Sequence, residues 1–472
     1  MTEKEPPIIS LPTVLKPIAS LKLTVVLFAM AIFIVFAGTV AQVDRGIWTV
    51  VDQYFRCYVA WIELGIFFPR SMDVPGGFYF PGGWLIGGLL MCNILAAHLI
   101  RFKISASGAR LGLGLFVLAV GGVFMGVIVS GKLEPTVAAT EDDAYWRVLW
   151  RLIKGGGVGV ILLAGCILVF KKRAGVVLVH AGIIVMFVAE FVTGVSAIEA
   201  RMRLEQGETK QYVERSREVE LAVIDRSDPE TDQVISVPQS RLERRGTIRD
   251  DALPFDIEVH EYMVNSDILE ANSEDANRDN PATAGRGLTI VAVPVSESAG
   301  ADTEQTVDVP SAYMTFKDKQ TGDSLGTYLT SAWLSFRKGA LGDLVTVGDQ
   351  TYDVNLRFRR DYKPYALTLI DFRHEKYVGT ETPKDFSSHV RLVDESQNVD
   401  REVRIWMNNP LRYAGETFYQ ASFEPGKNLT ILQVVRNEGW MLPYLSCMMV
   451  GIGMLAHFGQ HLVTFLRKRL AA

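Results

Sequence analysis

The 472-residue sequence has few cysteines, and their positions exclude several kinds of site. The four cysteines include no CxxC pair, and three of them lie in apolar runs, so neither a disulfide framework nor a thiol-redox centre is indicated. They are Cys57, Cys92, Cys166 and Cys447. The sequence also lacks a phosphate-binding glycine loop, a nucleophile elbow and a His/Cys cluster with metal-ligand spacing. We therefore assign no catalytic residue and no metal site of the protein's own, and we expect no nucleic-acid partner.

Long apolar runs crowd the first 197 positions and return at the end of the chain. Runs of about 20 apolar residues are long enough to cross a hydrocarbon core of roughly 30 Å. We predict six spans, at 20–41, 82–102, 111–131, 155–171, 175–197 and 440–466. The first is longer than the apolar region of a cleaved signal sequence, which predicts an uncleaved anchor.

The polar block between the fifth and sixth spans reads as short alternating strands separated by Gly, Pro, Asn and Asp. The predicted strands are FDIEVHEY, LTIVAVPV, YALTLIDF, HVRLVD, EVRIWMN, TFYQASF and LTILQVV. A polar stretch at 266–285 is predicted to be a loop or disordered. The fold class is thus an integral membrane α-helical bundle with a large β-rich extracytoplasmic domain inserted before the last helix. Its predicted parts are a membrane domain at 1–198, the β-rich domain at 199–437, and a final helix with a cytoplasmic tail at 438–472.

Lys and Arg in the short connections predict the orientation, because such residues favour the cytoplasmic side. Four basic groups fall on one side only if the chain crosses six times. They are Lys16 and Lys22; Arg101, Lys103 and Arg110; Lys171, Lys172 and Arg173; and Arg467, Lys468 and Arg469. We therefore predict a protein of the inner, cytoplasmic membrane with both termini in the cytoplasm and the β-rich domain outside.

Two segments between spans have an amphipathic pattern. The stretch IWTVVDQYFRCYVAWIELGIFF places Trp48, Val51, Phe55 and Tyr58 at helical spacing, which predicts a helix in the outer membrane interface. The stretch YWRVLWRLIK groups its basic residues on one face. It is predicted to be either a surface helix with snorkelling side chains or a basic contact for an anionic ligand or partner.

Four of the seven histidines lie in predicted spans, all on the side of the basic groups: His98, His180, His457 and His461. At a rise of 1.5 Å per residue they lie at depths of roughly 5 to 15 Å. Polar groups at such depth are expensive and count as functional candidates. Neutral imidazole is a good axial ligand for haem iron. His180, within the run VVLVHAGIIVMFVAEFVTG, is the first candidate ligand; a hydrogen-bonded packing residue is the alternative.

The other histidines give weaker signals. His98 is close enough to the interface to snorkel and is a second candidate haem ligand. His457 and His461 are four residues apart and share a helix face, which alone is a weak metal pattern. His260, His374 and His389 lie in or beside strands and are interpreted as structural. Glu190, farther along the helix of His180, has no partner that the sequence identifies.

Three stretches together resemble the ResB (CcsB-type) proteins of system II cytochrome c biogenesis. The first ends in the turn GTVAQ, and the second is the histidine-bearing span described above. The third and most specific runs from LIDFRHEK to NEGW. Its motif residues are Phe386-Ser387-Ser388, Asn408-Asn409-Pro410-Leu411, Tyr413, Gly415 and Phe418-Tyr419-Gln420. Members usually have four spans, so the extra hairpin at 111–171 departs from the family pattern.

The resemblance implies a function in haem delivery. ResB proteins work with a ResC (CcsA-type) membrane partner to move haem b, bound transiently, across the membrane for covalent attachment to apocytochrome c. It implies that His180 is an axial ligand of the passing haem. The chain would then belong to a haem-attachment (synthetase) complex without being an enzyme on its own.

Two other classes of function remain open. His98 and His180 would suit a b-type haem subunit that transfers electrons, although such proteins often hold two haems across the bilayer. A membrane-anchored scaffold or sensor without a cofactor is the third reading, with purely structural histidines.

Overall fold

The computed structural model describes most of the chain. The described residues are 11–43, 45–69, 71–72, 74–101, 103–131, 143–273, 279–298, 307–336, 342–377, 379, 383–424 and 428–471. The helices are α1 (Leu11–Ile18), α2 (Leu21–Ala41), α3 (Ile47–Val50), α4 (Gly83–Arg101), α5 (Gly108–Val129), α6 (Asp143–Phe170), α7 (Ala174–Ser196), α8 (Gln239–Leu242) and α9 (Leu442–Leu470).

The strands follow the same chain order. They are β1 (Val59–Glu63), β2 (Gly77–Pro81), β3 (Ile198–Glu205), β4 (Thr209–Asp225), β5 (Gln233–Pro238), β6 (Gly246–Ile248), β7 (Phe255–Met263), β8 (Ser266–Glu270), β9 (Ile290–Pro294), β10 (Ser311–Asp318), β11 (Ser324–Ser331), β12 (Asp343–Val347), β13 (Gln350–Lys376), β14 (Pro383–Asp394), β15 (Val399–Trp406), β16 (Leu411–Tyr413), β17 (Glu416–Phe423) and β18 (Leu429–Arg436).

Several long apolar helices and a large β-rich part fit a membrane protein. Among the described residues, 5 segments are long and apolar enough to cross a membrane: Leu21–Ala41, Gly83–Ile100, Gly108–Val129, Val148–Ser196 and Leu442–Leu470. The fourth has 49 residues and contains two helices, because the turn Lys171–Arg173 separates α6 from α7.

Glycines bring the long helices close together and show their relative directions. Later residues of α6 contact later residues of α9, so these two helices are parallel. Later residues of α7 contact earlier residues of α9, so α7 and α9 are antiparallel. The pairs are Gly155 with Met448, Gly159 with Ile452, Gly182 with Val450, and Gly175 with His457. Helices α6 and α7 therefore run antiparallel to each other.

The β-rich part is organised around β4 and β13, which pair antiparallel along most of their length. The ten-stranded sheet has the order β15-β14-β13-β4-β3-β18-β17-β16, with β12 on β13 and β5 on β4. One half of this sheet encloses a core with Met202, Leu369 and Phe418; because it contains the first and last strands of the domain, we call it the terminal lobe.

The other halves of β4 and β13 face the four-stranded sheet β11-β10-β7-β6. They enclose a second core that includes Leu221, Phe255 and Phe316, and we call this part the central lobe. All seven strands predicted from the alternating pattern are confirmed as strands or parts of strands.

The β-rich part also contacts the segments beside the membrane helices. The Arg217 guanidinium lies 3.6 Å from the centroid of the Trp48 ring, and Thr49 hydrogen-bonds to Glu297. The Arg412 guanidinium lies 5.3 Å from the centroid of the Trp440 ring, at the start of the last helix. These contacts join the β-rich part to the helical part.

The predicted interfacial helix at 47–68 is wrong beyond its first turns. After α3 and the π-helical turn Val51–Phe55, the chain forms β1, which pairs antiparallel with β2. Residues along β1 alternate between exposed and buried from Val59 to Ile62, as expected for a strand with one covered face. The Trp61 and Tyr79 rings, paired across this hairpin, lie 4.8 Å apart.

Two further predictions need correction. YWRVLWRLIK is not a separate surface helix, since it is the first part of α6, and Arg151 and Lys154 within it are buried. The Arg151 guanidinium lies 4.5 Å from the centroid of the Trp440 ring, which explains how its charge is accommodated. The predicted loop at 266–285 begins with β8, which pairs with β9; positions 274–278 of that stretch lie outside the described residues.

Candidate functional site

The two candidate ligands lie on neighbouring antiparallel helices. Near the start of α4, the Trp84 ring lies 6.1 Å from the Phe191 ring near the end of α7. At the other end of the same seam, His98 of α4 meets His180 of α7. The sequence predicted each histidine separately, and the structure brings them into contact.

The imidazoles of His98 and His180 form a close polar pair. Nδ1 of His180 lies 3.1 Å from Nε2 of His98, within hydrogen-bonding distance. The ring centroids are 4.8 Å apart, and the ring planes make an angle of 64°. One facing nitrogen must carry the proton and the other must accept it, because two lone pairs would repel. Both side chains are half-buried.

The pair lies toward the end of the bundle where basic residues gather, which we call the basic end. The connection from α4 to α5 lies beside the last turn of α6: Ser105 N donates to Val169 O at 3.0 Å, and Arg110 Nε donates to Leu168 O at 2.9 Å. The turn Lys171–Arg173 follows directly. The basic groups at 103–110 and 171–173 therefore share one end of the helices.

Asn93, which the sequence analysis missed, fixes the helix that carries His98. Its side chain is 3% exposed and donates from Nδ2 to Ile18 O at 2.5 Å and to Ser20 O at 3.2 Å. Its Oδ1 accepts from Thr24 Oγ1 at 2.8 Å. A buried amide within an apolar span is the signal that would have identified it. Asn93 thus connects α4 to the junction between α1 and α2.

The other helix histidines do not gather further ligands. His457 and His461 lie on one face of α9 with ring centroids 4.7 Å apart, and His457 packs beside Gly175 of α7. Within the described residues, no group of three or more His, Cys, Asp or Glu side chains is placed to hold a metal ion. Glu190 is exposed on the surface of α7.

The three histidines of the β-rich part each have a structural neighbour. His260 Nε2 lies 2.6 Å from Thr315 Oγ1, and His389 Nε2 lies 3.2 Å from a carboxylate oxygen of Glu402. The His374 ring lies 4.0 Å from the Phe423 ring. These contacts agree with the structural interpretation of all three.

Ser388 of the carboxy-terminal motif connects strands by hydrogen bonds rather than forming a reactive site. Buried Ser388 donates from Oγ to Gln420 Oε1 at 2.6 Å and also contacts Thr430 Oγ1 at 2.8 Å. Gln420 Nε2 in turn donates to Thr430 at 2.9 Å. This closed set of hydrogen bonds satisfies polar groups inside the terminal lobe, as buried polar groups require.

A second network surrounds Tyr413 and Glu416. Tyr413 donates to Asp394 at 2.7 Å, whereas Glu416 accepts from Lys363 Nζ at 2.6 Å and from the Tyr365 hydroxyl. Burial, followed by the hydrogen bond to Asp394, raises the pKa of Tyr413 to about 12, so this hydroxyl remains a donor. The motif therefore stabilises the fold of the terminal lobe.

Comparison with known proteins identifies the carboxy-terminal part of the chain. Residues 324–441, from the start of β11 to the turn before α9, match the ResB-like family. A stretch of 92 residues is 38% identical to Protein NrfI of Wolinella succinogenes; it covers 20% of this chain and spans only 10% of that protein. The family match confirms the resemblance indicated by the carboxy-terminal motif: residues 324–441 have a ResB-like sequence.

Proposed function

We propose that the chain is the ResB-type subunit of a complex that delivers haem and assembles cytochrome c. The ResB-like match supports the role in cytochrome c biogenesis, and it lies in the strands of the β-rich part. The contact between His98 and His180 within the apolar helices is the single observation that carries haem binding. The partners that follow are a ResC (CcsA-type) membrane protein and apocytochrome c, and the haem is cargo held transiently.

The proposed topology has six crossings, with both termini in the cytoplasm and the β-rich domain outside. The opposite directions of α6 and α7 support two crossings within the 49-residue apolar segment. The basic end of the bundle supports the orientation, because Lys and Arg favour the cytoplasmic side. In this topology the histidine pair lies toward the cytoplasm, where a haem collected from that side would meet it.

The distance between the histidines distinguishes two ways of holding haem iron. Bonds from a transition metal to imidazole nitrogen are about 2 Å long, so a metal between two ring nitrogens holds them about 4 Å apart. The observed separation is 3.1 Å. The pair therefore does not bracket an iron atom as it stands.

The same distance fits one ligand supported by a second histidine. A metal-bound histidine usually donates its other ring N–H to a nearby acceptor, which fixes the tautomer and the ring orientation. If Nδ1 of His180 donates to Nε2 of His98, ligation through His180 uses its Nε2. Because the family resemblance implies His180 as the ligand, we assign His180 as the residue that would hold the haem iron and His98 as the residue that positions it.

The β-rich domain is proposed to hold the complex together or to position apocytochrome where haem emerges. Strands β15 and β16 are the two ends of the order in the ten-stranded sheet, and strand addition at the end of a sheet is a common mode of peptide recognition. The closed hydrogen-bond networks of the motif provide neither a nucleophile nor an acid/base pair. Thioether formation is accordingly a property of the whole complex.

A permanent b-type haem for electron transfer is the second candidate, because His98 and His180 come from different helices. It requires the two rings to separate by about 1 Å to admit the iron. Such a subunit would retain one haem per chain on purification, and deletion of its gene would leave c-type cytochromes intact.

The test is a gene deletion complemented by histidine variants, with membranes stained for covalently bound haem. We expect the deletion and His180→Ala to lose c-type cytochromes, and His461→Ala, on the exposed last turns of α9, to restore them. His98→Ala should give an intermediate level, since it removes support without removing the ligand. Normal cytochromes in the deletion strain would overturn the proposal.

A further inference from the structure

A cavity of about 440 Å³ lies between the two lobes of the β-rich part, away from the histidine pair. Strands β3 and β4 of the ten-stranded sheet provide one wall, and residues around β8 and β9 provide another. This volume lies within the range of about 300–1,000 Å³ that is typical of ligand sites. It is large enough for part of a sizeable ligand or for a short peptide segment.

The cavity combines apolar surface with guanidinium groups. Its apolar lining includes buried Val309 and Phe358 and, nearer the solvent, Trp333 and Val295. The arginines are Arg201, Arg203 and Arg215. A planar guanidinium suits a carboxylate, because it can donate two parallel hydrogen bonds to its oxygens.

Two of the three arginines already have carboxylate partners. Arg203 pairs with Glu424 at 2.8 Å. Arg215 pairs with Asp361 at 2.9 Å and with Glu218 at 2.7 Å. Their charges are therefore compensated within the protein.

Arg201 differs from its neighbours. Throughout the part of the chain that the structure describes, its side chain makes no salt bridge and no side-chain hydrogen bond. Its cross-strand neighbour Glu214 pairs with Arg360 at 3.2 Å. Burial is the main cause that lowers the pKa of Arg201, and the nearby carboxylate of Glu199 offsets it only in part.

We propose that this cavity binds a carboxylate carried on an apolar body, with Arg201 as its principal contact. The apolar walls hold the body, and the carboxylate accepts the charge-assisted hydrogen bonds that the Arg201 guanidinium does not make to any described side chain. Asp267 also lines the cavity and is exposed, so it disfavours a second negative group on its side. Two sources supply a ligand of this chemistry, a tetrapyrrole propionate and a peptide carboxyl terminus.

The experiment uses the full chain in lipid nanodiscs and two pairs of probes. The first pair is metal-free protoporphyrin IX and its dimethyl ester, followed by fluorescence. The second pair is an apolar hexapeptide with a free carboxyl terminus and its amide. Metal-free porphyrin cannot be ligated through iron, so binding is independent of His180 and of the proposed haem function.

The expected result is that the free acid of at least one pair binds, and that Arg201→Gln weakens it at least about tenfold, as loss of a charge-assisted hydrogen bond predicts. The dimethyl ester and the peptide amide should bind weakly to the unaltered chain and to Arg201→Gln. Arg249→Gln, at an arginine outside the cavity that pairs with Asp256, is the matched control and should bind as the unaltered chain does.

A second variant tests the cavity without changing Arg201, in case Arg201→Gln fails to fold. Val295→Trp fills the mouth of the cavity from a position that is 38% exposed, so the fold should tolerate it while both free acids lose binding. The pair that responds identifies the source of the carboxylate. If neither pair depends on its free carboxylate, or if Arg201→Gln and Val295→Trp bind both acids as well as the control, the proposal is wrong.

Discussion

Replacing Asn93 by leucine should destabilise the helical part and displace the helix that carries His98. The change removes three hydrogen bonds, two to the carbonyl groups of Ile18 and Ser20 and one from Thr24. Hydrogen bonds between membrane helices contribute about 0.6 kcal/mol on average and about 1.7 at most, so three contribute about 2 to 5 kcal/mol. Leucine is close to asparagine in size, which limits the change to the lost polar contacts.

The assay is the free energy of unfolding in mixed micelles, measured by circular dichroism as the denaturing detergent increases. Cys92→Val is the matched control, because Cys92 is the preceding residue of α4 and is exposed. Thr24→Val should give a smaller loss than Asn93→Leu, since it leaves both carbonyl contacts of Asn93 in place. If Asn93→Leu unfolds within about 0.5 kcal/mol of the control, the interhelical amide is not the stabilising contact described.

Two further perturbations test helix packing and the terminal lobe. Gly182→Leu should cost about 1–3 kcal/mol by overpacking, because even a Cβ there would lie 2.8 Å from an α9 side chain, whereas Gly451→Leu meets open space and should cost little; thermal unfolding of the two variants compares them. Hydrogen bonds from Ser396 and Tyr413 hold the pKa of Asp394 below its ordinary range. The stability contributed by Asp394 is therefore present above the unfolded pKa of about 4 and is lost as pH falls through the lowered folded value. Asp394→Asn should flatten this acid-side dependence of the melting temperature, and an unchanged pH profile would refute it.

The positions of the histidines along their helices were accessible from the sequence, but their contact was not. Apolar runs and basic residues place both histidines nearer the basic end of their helices, with His98 close to the interface and His180 deeper. Which helices become neighbours depends on side-chain packing between distant segments. Here the aromatic contact of Trp84 with Phe191 and the antiparallel direction of α4 and α7 bring the two rings together.

The strands were predicted well where one face is buried, because burial imposes a period of two. The same rule explains the error at 47–68, where a stripe of aromatic residues fits helical spacing over its first turns. From Val59 to Ile62, exposed and buried residues alternate, and pairing with β2 decides the structure. The helical spacing was extended across the boundary between the helical turns and β1, so one helix was predicted where the chain forms helical turns and then a strand.

The basic residues of α6 show how tertiary contacts override local pattern. Arg151 and Lys154 resemble a solvated face in sequence, yet both are buried in the structure. The ring of Trp440, far away in the chain, covers the Arg151 guanidinium at 4.5 Å. No local signal reveals such a partner, because the attraction of a cation for an aromatic face requires only that the two meet in space.

The measurement that tests the central claim most directly is the absorption spectrum of the full-length protein purified with haem, before and after addition of imidazole. His180→Ala should lose the axial-ligand signature, and free imidazole should restore part of it, because imidazole replaces the missing ligand. His98→Ala should keep the signature with weaker haem retention, since it removes only the residue that positions the ligand. An unchanged spectrum and unchanged haem content in His180→Ala would contradict the assignment.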